Sequence, residues 1–254
     1  MATAMLGGII RAGLIAPEDI TGSDPGSAER DRAKKDLGIN TTGNNAEAVT
    51  GCDYLIIAVK PQVYETVLPE IRSAMNKDQV IISIAPGKTI KYLEERLIPK
   101  ARIVRLMPNT PALVGEGCTG ACMNDNVTAD ECEYVLKLLS GFGKAYKVKE
   151  QQMDAVVAVS GSSPAYVFML IDAMADGAVA EGLDRPTAIQ MAAQAVLGSA
   201  KMVLETGKHP GQLKDMVCSP AGTTIDAVAV LENAGFRGSV IEAMSACADK
   251  SRRI

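Results

Sequence analysis

Ser219-Pro220-Ala221-Gly222-Thr223-Thr224 is the stretch of this sequence best suited to holding an anion. It lies within LKDMVCSPAGTTIDAVAVLE (213–232), where Pro220 and Gly222 break one helical run and Gly-Thr-Thr opens the next. A helix start presents unpaired backbone N–H groups and the positive end of the helix dipole, and two adjacent hydroxyls add further donors. Such a place can bind a carboxylate without any formal positive charge. A single Ser or Thr suffices for an ordinary N-cap, so Gly222, Thr223 and Thr224 together exceed what capping needs.

Three other short segments each follow an apolar run: AVKP (58–61), IAPG (84–87) and MPNTP (107–111). Open α/β sheets bind ligands just beyond the carboxyl ends of their strands, and Pro and small residues there let a flat ligand approach the backbone. The carboxamide of Asn109 can both donate and accept. Singly, each segment is equally an ordinary turn; three in succession along one sheet edge point to a nucleotide. Upstream, ITGSDPGSAER (20–30) reads as a strand ending in a polar loop that opens a helix. An acidic residue in such a loop suits a ribose 2′-hydroxyl, whereas a hydroxyl with a nearby Arg suits a 2′-phosphate. Ser23 and Arg30 favour the phosphate and Asp24 opposes it, so NADPH is the preferred cofactor and NADH the alternative.

These segments need a frame. The β-branched runs 53–59, 79–85 and 101–107 are apolar throughout, as strands buried on both faces should be. Amphipathic helical segments lie between them, including 61–75 and 89–97, and SAERDRAKKDLG comes before. This alternation predicts a doubly wound α/β domain with a parallel sheet and right-handed crossovers, to which 117–123 and 144–148 add strands. After about residue 150 strand signals stop. Long Ala-, Met- and Leu-rich helices are expected at 163–182, 186–206, 222–234 and 236–252. TAIQMAAQAVLGSAKMVL is apolar almost all round and needs burial on more than one side, which a second subunit would supply. Two domains are therefore expected, 1–150 for a dinucleotide and 151–254 as a helical substrate and dimerisation domain.

Composition narrows the function. A chain of 254 residues with 47% hydrophobic residues buries a sizeable core, and with no Trp that core is aliphatic. A net charge of −4 argues against nucleic-acid binding. Six scattered cysteines and a single histidine, His209, give no metal-ligand spacing, so no metal is expected. Asp172 and Asp176 lie four apart on one helix but lack a third ligand. The cysteine pattern and the lack of a signal peptide point to a reducing cytoplasm, and no membrane span is expected because acidic residues interrupt the apolar stretches.

LKDMVCSPAGTTIDAVAVLE closely resembles the signature of the pyrroline-5-carboxylate reductase family, and AVKP, MPNTPALVGEG, SGSSPAYVF, DAMADG and KHPGQLKD follow the family's order. The resemblance covers essentially the whole chain. It departs at Ser163 and Ala221, where the family usually has Gly. The resemblance implies a Rossmann-like domain followed by an all-α domain that interleaves with a partner, giving a homodimer or an oligomer of dimers. It also implies reduction of the cyclic imine 1-pyrroline-5-carboxylate to L-proline, the last step of proline biosynthesis, with hydride from a nicotinamide.

The family's cofactor positions carry over to Asn45, Ala58, Val59, Lys60, Pro61, Ile84, Ala85 and Pro86, which join Ser23 and Asn109 as expected cofactor contacts. Gly222, Thr223 and Thr224 would hold the substrate carboxylate. Glu150 matches an acidic family position near the substrate, where it would favour the protonated iminium; a solvated Glu beside Lys149 is the plainer reading. No side chain stands out as a general acid. Met1 aligns with the last residue of the family's Gly-x-Gly-Asn-Met turn, so a strand and glycine loop are expected before it. Gly7 and Gly8, inside the first helix, are expected to ease its packing on the sheet. Two competing readings are a dimerising relative without activity and a reductase of another imine or hydroxyacid.

Overall fold

The three apolar runs become adjacent parallel strands on one side of a five-stranded sheet. The computed structural model describes residues 1–253. Strands β3 (Tyr54–Ile57), β4 (Val80–Ser83), β5 (Arg102–Met107), β6 (Gly117–Met123) and β7 (Gly143–Lys147) stand side by side in that order. Every residue of β4 is buried, as expected where helices cover both faces. Side chains alternate between two cores. Ile57, Ile81 and Ile103 face Tyr64, Leu68 and Ile71 of α4 (Tyr64–Ala74) and Leu93 of α5 (Ile90–Glu94). Val80, Ile82, Val104 and Leu106 face Met5 and Ile9 of α1 (Ala2–Arg11) and Val135 and Leu138 of α6 (Ala129–Leu139). A second, two-stranded parallel sheet joins β1 (Thr21–Ser23) to β2 (Asn40–Thr42), with α2 (Ser27–Leu37) between them and α3 (Asn45–Thr50) following.

The sheet is not wholly parallel. β3, β4 and β5 run parallel, but β6 is antiparallel to β5, and β7 is parallel to β6. The segment 108–116 is shorter than the dozen or so residues a crossover needs, so the chain must turn straight back. Between β6 and β7 it passes through α6, and that pair is parallel. In α1, a side-chain carbon on Gly8 would come within 2.8 Å of the Gly141 carbonyl, so this helix packs closely only because Gly8 has none. Gly7 faces the flexible end of Arg11 and Leu37 instead.

Residues Met1–Ser162, together with the chain from Cys247 on, form one compact unit, and Ser163–Ala246 form another. The first unit thus closes at Ser162 rather than at 150. The reason is packing: α7 (Met153–Val156) and the π-helix Val157–Gly161 bury Met153, Ala158 and Ser160, and Val156 fills the space left by Gly120. The end of α12 (Phe236–Ser251) belongs to this unit, where the Ser251 hydroxyl donates to Asp154 at 2.6 Å.

The second unit contains α8 (Ser163–Ala180), α9 (Arg185–Thr206), α10 (Pro210–Val217), α11 (Thr223–Asn233) and most of α12. Its buried apolar residues are Ala175, Ala188, Ala192 and Leu213, while Phe168, Met169 and Leu204 are 62%, 73% and 76% exposed. A single copy leaves much of its apolar helix surface uncovered. The helical run Glu150–Ala180 is long and apolar enough to cross a membrane by length and composition. Its first third is packed into the first unit, and Asp172 and Asp176 interrupt the rest.

Candidate functional site

At the ends of β1 and β2 the chain gathers a hydroxyl, an amide and a guanidinium. Ser23 Oγ donates to Asn45 Oδ1 at 2.8 Å, and the Asn45 amide donates in turn to Glu70. Arg30 Nη1 donates to the carbonyls of Asp24 and Pro25, at 2.7 and 2.9 Å, and lies against Gly43. Asp24 turns away from this group: its Oδ1 accepts the Gly26 amide at 2.8 Å in a local turn. The cluster thus holds a cation, a hydroxyl and an amide, the donor types a 2′-phosphate requires, together with the Glu70 carboxylate on the amide.

Next along the edge, Ala58–Pro61 leave β3 and Ile84–Pro86 leave the adjacent β4. Ala58, Lys60 and Pro86 are exposed, Val59 and Pro61 half-buried, and Ile84 and Ala85 buried. Val59 packs on the core below. Gly87 takes a positive φ of 75° to close the turn, a conformation that needs no side chain. Lys88 then reaches over the Tyr92 ring at 4.3 Å. These loops present backbone and small side chains at the ends of β3 and β4. Met1 stands at the N-terminal end of α1, 45% exposed.

Asn109 is placed differently from the expectation. It is buried; its Nδ2 donates to the Ser160 carbonyl and its Oδ1 accepts the Cys118 amide, at 2.9 and 2.8 Å. The carboxamide thus clamps the end of β5 to β6 and the π-helix instead of facing a ligand. Glu150 also turns inward. Its Oε1 accepts the Ile90 amide at 2.7 Å and pairs with Arg105 Nη1 at 3.0 Å, so it is neither a solvated surface Glu nor a free acid.

Two polar residues beneath the loops escape a motif-based reading. Tyr64, fully buried, shares a 3.0 Å hydrogen bond with Ser83 and donates to the Ile57 carbonyl, which ties the ends of β3 and β4 together. Burial pushes its phenol up to about 12. Arg105 is 4% exposed in the middle of β5. The sequence does carry its signal, a charge inside the apolar run ARIVRLM, where an unpaired guanidinium would be costly.

In the second unit, Ser219–Gly222 form a turn closed by the Gly222 amide on the Ser219 carbonyl at 3.1 Å, and α11 starts immediately after. Gly222 is its N-cap, and no side chain caps the helix. The amides of its first turn therefore remain open beside the Thr223 and Thr224 hydroxyls, with Thr223 exposed and Thr224 half-buried. His209 caps α10, accepting the Gly211 amide on Nδ1 at 3.1 Å. Asp176 pairs with Arg185. Among the described residues no group of three His, Cys, Asp or Glu side chains comes together for a metal.

A model for pyrroline-5-carboxylate reductase dimerisation matches residues 150–254, and one for coenzyme F420-dependent NADP oxidoreductases matches residues 1–87. The pyrroline-5-carboxylate reductase of Escherichia coli is 49% identical over 254 residues, which cover 100% of this chain and 94% of that protein. The solved pyrroline-5-carboxylate reductase of Coxiella burnetii has a TM-score of 0.92 at 34% identity, covering 99% of this chain and 94% of that one. The Plasmodium falciparum pyrroline carboxylate reductase, solved with NADP bound, gives 0.88 at 34%, covering 98% and 92%. With relatives this similar along their whole length, the chain belongs to the pyrroline-5-carboxylate reductase family.

Proposed function

We propose that this chain reduces 1-pyrroline-5-carboxylate to L-proline, with NADPH preferred over NADH. The observation that carries the substrate assignment is the uncapped start of α11: open amides beside two hydroxyls, at a turn built from Ser-Pro-Ala-Gly. The substrate has one permanent charge, its carboxylate. Gly222, Thr223 and Thr224 bind that carboxylate through backbone N–H groups and the two hydroxyls, and the helix dipole adds to the attraction. The anion so held keeps the ring from rotating, which removes an orientational part of the barrier.

NADPH, when bound, supplies the hydride that reduces the C=N bond. In the nucleotide half, Ser23, Asn45 and Arg30 receive the 2′-phosphate, the backbone of Ala58–Pro61 and Ile84–Pro86 lies along the nucleotide, and Met1 marks the α1 end of the site. Asn109 holds the loop that follows β5. The imine nitrogen takes its proton from water, since no acidic side chain is left free for that task among those assigned.

The helices after Ser162 serve as a dimerisation domain, and 1–150 with the packed segment up to Ser162 serve the nucleotide. The support is the uncovered apolar surface of α8 and α9 and the dimerisation match over 150–254. A partner copy, rather than a bilayer, covers that surface, and the protein works in the cytoplasm as a homodimer or larger homo-oligomer.

Thr224→Val tests the carboxylate assignment. Removing one donor to a charged group is expected to raise KM for 1-pyrroline-5-carboxylate by about tenfold or more. NADPH affinity, read from the cofactor's own fluorescence, should stay within about twofold. An unchanged KM would reject the assignment.

A further inference from the structure

Arg105 is the one buried charged residue among those described. It lies in a row across the sheet, Ile57–Ser83–Arg105–Cys122, one residue from each of the adjacent strands β3 to β6. Ile57 and Ser83 are the last residues of β3 and β4, so the row runs directly beneath the loops at 58–61 and 84–89. A guanidinium there costs desolvation, and the structure repays it sparingly. Nη1 reaches Glu150 Oε1 at 3.0 Å, while the buried Nε has no partner. Apart from Ser83, which is paired with Tyr64, the other buried positions of β4 and β5 are apolar, and an apolar side chain would pack here without that penalty.

The other contact of Glu150 supplies a reason for the pair. The same Oε1 accepts the Ile90 amide at 2.7 Å. Ile90 begins α5, directly after the turn Pro86–Thr89, and Thr89 caps only the Tyr92 amide. At its other end the 84–89 loop is anchored where the Ile84 amide meets the Ile57 carbonyl. Both ends of the loop are therefore fixed to the sheet, and the second anchor is a relay from β5 through Arg105 and Glu150 to the Ile90 amide.

We propose that Arg105 is a positioning residue for cofactor binding: through Glu150 it sets the place of the 84–89 loop, and it touches neither cofactor nor substrate. This rests on the reading of Ile84–Pro86 as part of the nucleotide site. Glu150 is accordingly part of the relay and not an acid that serves the substrate.

The test compares NADPH binding to the free enzyme, by fluorescence titration, with steady-state kinetics. In Arg105→Met the relay loses its charge and Glu150 is left unpaired; NADPH is expected to bind about tenfold more weakly. At saturating NADPH, kcat and the KM for 1-pyrroline-5-carboxylate should stay within about twofold of the parent, a split that general loss of structure does not produce. Arg105→Lys keeps a cation facing Glu150 and is expected to recover most of the affinity. If Arg105→Met does not fold, Arg105→Met/Glu150→Met leaves no unpaired buried charge and should show the same weakening.

Pro86→Glu places a negative charge on the loop itself and separates the two levels of inference. If it weakens NADPH while Arg105→Met, or the double variant, leaves binding unchanged, the relay is overturned and the loop reading stands. If Pro86→Glu also leaves NADPH binding unchanged, the loop reading itself is wrong. A fall in kcat with unchanged NADPH affinity in Arg105→Met would make Glu150 a participant in the chemistry and overturn the proposal.

Discussion

Replacing Ala221 by Gly should stabilise the protein. The Ser219–Gly222 turn has Pro220 at its second position, Ala221 at its third with φ 55°, and the closing bond from the Gly222 amide to the Ser219 carbonyl. That is the pattern of a type II turn, whose third position requires positive φ and is normally Gly or Asn. An L-residue in that region pays about 1–2 kcal/mol from the approach of Cβ to the carbonyl oxygen. Gly removes this strain but loosens the unfolded chain, which costs about 0.4–1 kcal/mol. The difference leaves Ala221→Gly more stable by roughly 0.5–1 kcal/mol, or about 1–4 °C in Tm for a chain of this size. Ala221→Val, β-branched at the same place, should move in the opposite direction by a similar amount. Calorimetry of the three proteins at one fixed protein concentration reads the order directly, since an oligomer's Tm depends on concentration. The expected order is Gly, then Ala, then Val. Equal stabilities for Ala and Val, or a less stable Gly variant, would mean that no conformational strain resides in this turn.

Two further predictions concern the nucleotide unit. Gly8→Ala should cost about 1–2 kcal/mol, because the added carbon meets the Gly141 carbonyl and overpacking outweighs the helix-propensity gain; Gly7→Ala, facing a flexible Arg11 end, should be neutral or slightly stabilising, and equal urea midpoints for the two variants would refute this packing account. Burial pushes the Glu131 carboxyl up, but the Thr128 amide and hydroxyl and the Arg102 guanidinium at 2.6 Å outweigh it and hold the group below the usual carboxylate range. Its folded-state value is thus the lower one, so its stabilisation is present above its unfolded value of about 4.5 and is lost as pH falls through the folded value. Glu131→Gln should flatten the acid limb of a stability–pH profile, and an unchanged limb would reject the effect.

Much of the architecture could be read from the sequence because burial on both sides leaves a mark that residue types record. β3, β4 and β5 fall within the apolar runs at 53–59, 79–85 and 101–107, and α8, α9, α11 and α12 within two residues or so of their expected limits. The direction of β6 was less legible. It follows from the length of the 108–116 link, a matter of geometry and not of composition. The reach of the first unit to Ser162 was hidden for another reason: an apolar helical run reads alike whether it packs on a sheet or on another helix.

The candidate site divides along the same line. Strand ends and helix starts are properties of local sequence, so 58–61, 84–86 and 222–224 could be located from Pro, Gly and Thr alone. Asn109, Glu150 and Arg105 could not be assigned that way, because what each touches is set by residues far along the chain: Ser160 for Asn109, Ile90 and Arg105 for Glu150. A motif fixes where a backbone goes; a polar side chain near it goes where the surrounding fold leaves a group unpaired. Asn109 finds the Cys118 amide and the Ser160 carbonyl, and Glu150 finds a helix-start amide and a buried cation. On the function proposed above, polar residues that look like ligand contacts in the sequence support the loops, and contact with the nucleotide falls to backbone and small side chains. On the same reading, substitutions at Asn109 or Glu150 are expected to act on ligand binding through loop position, and those at Thr224 directly.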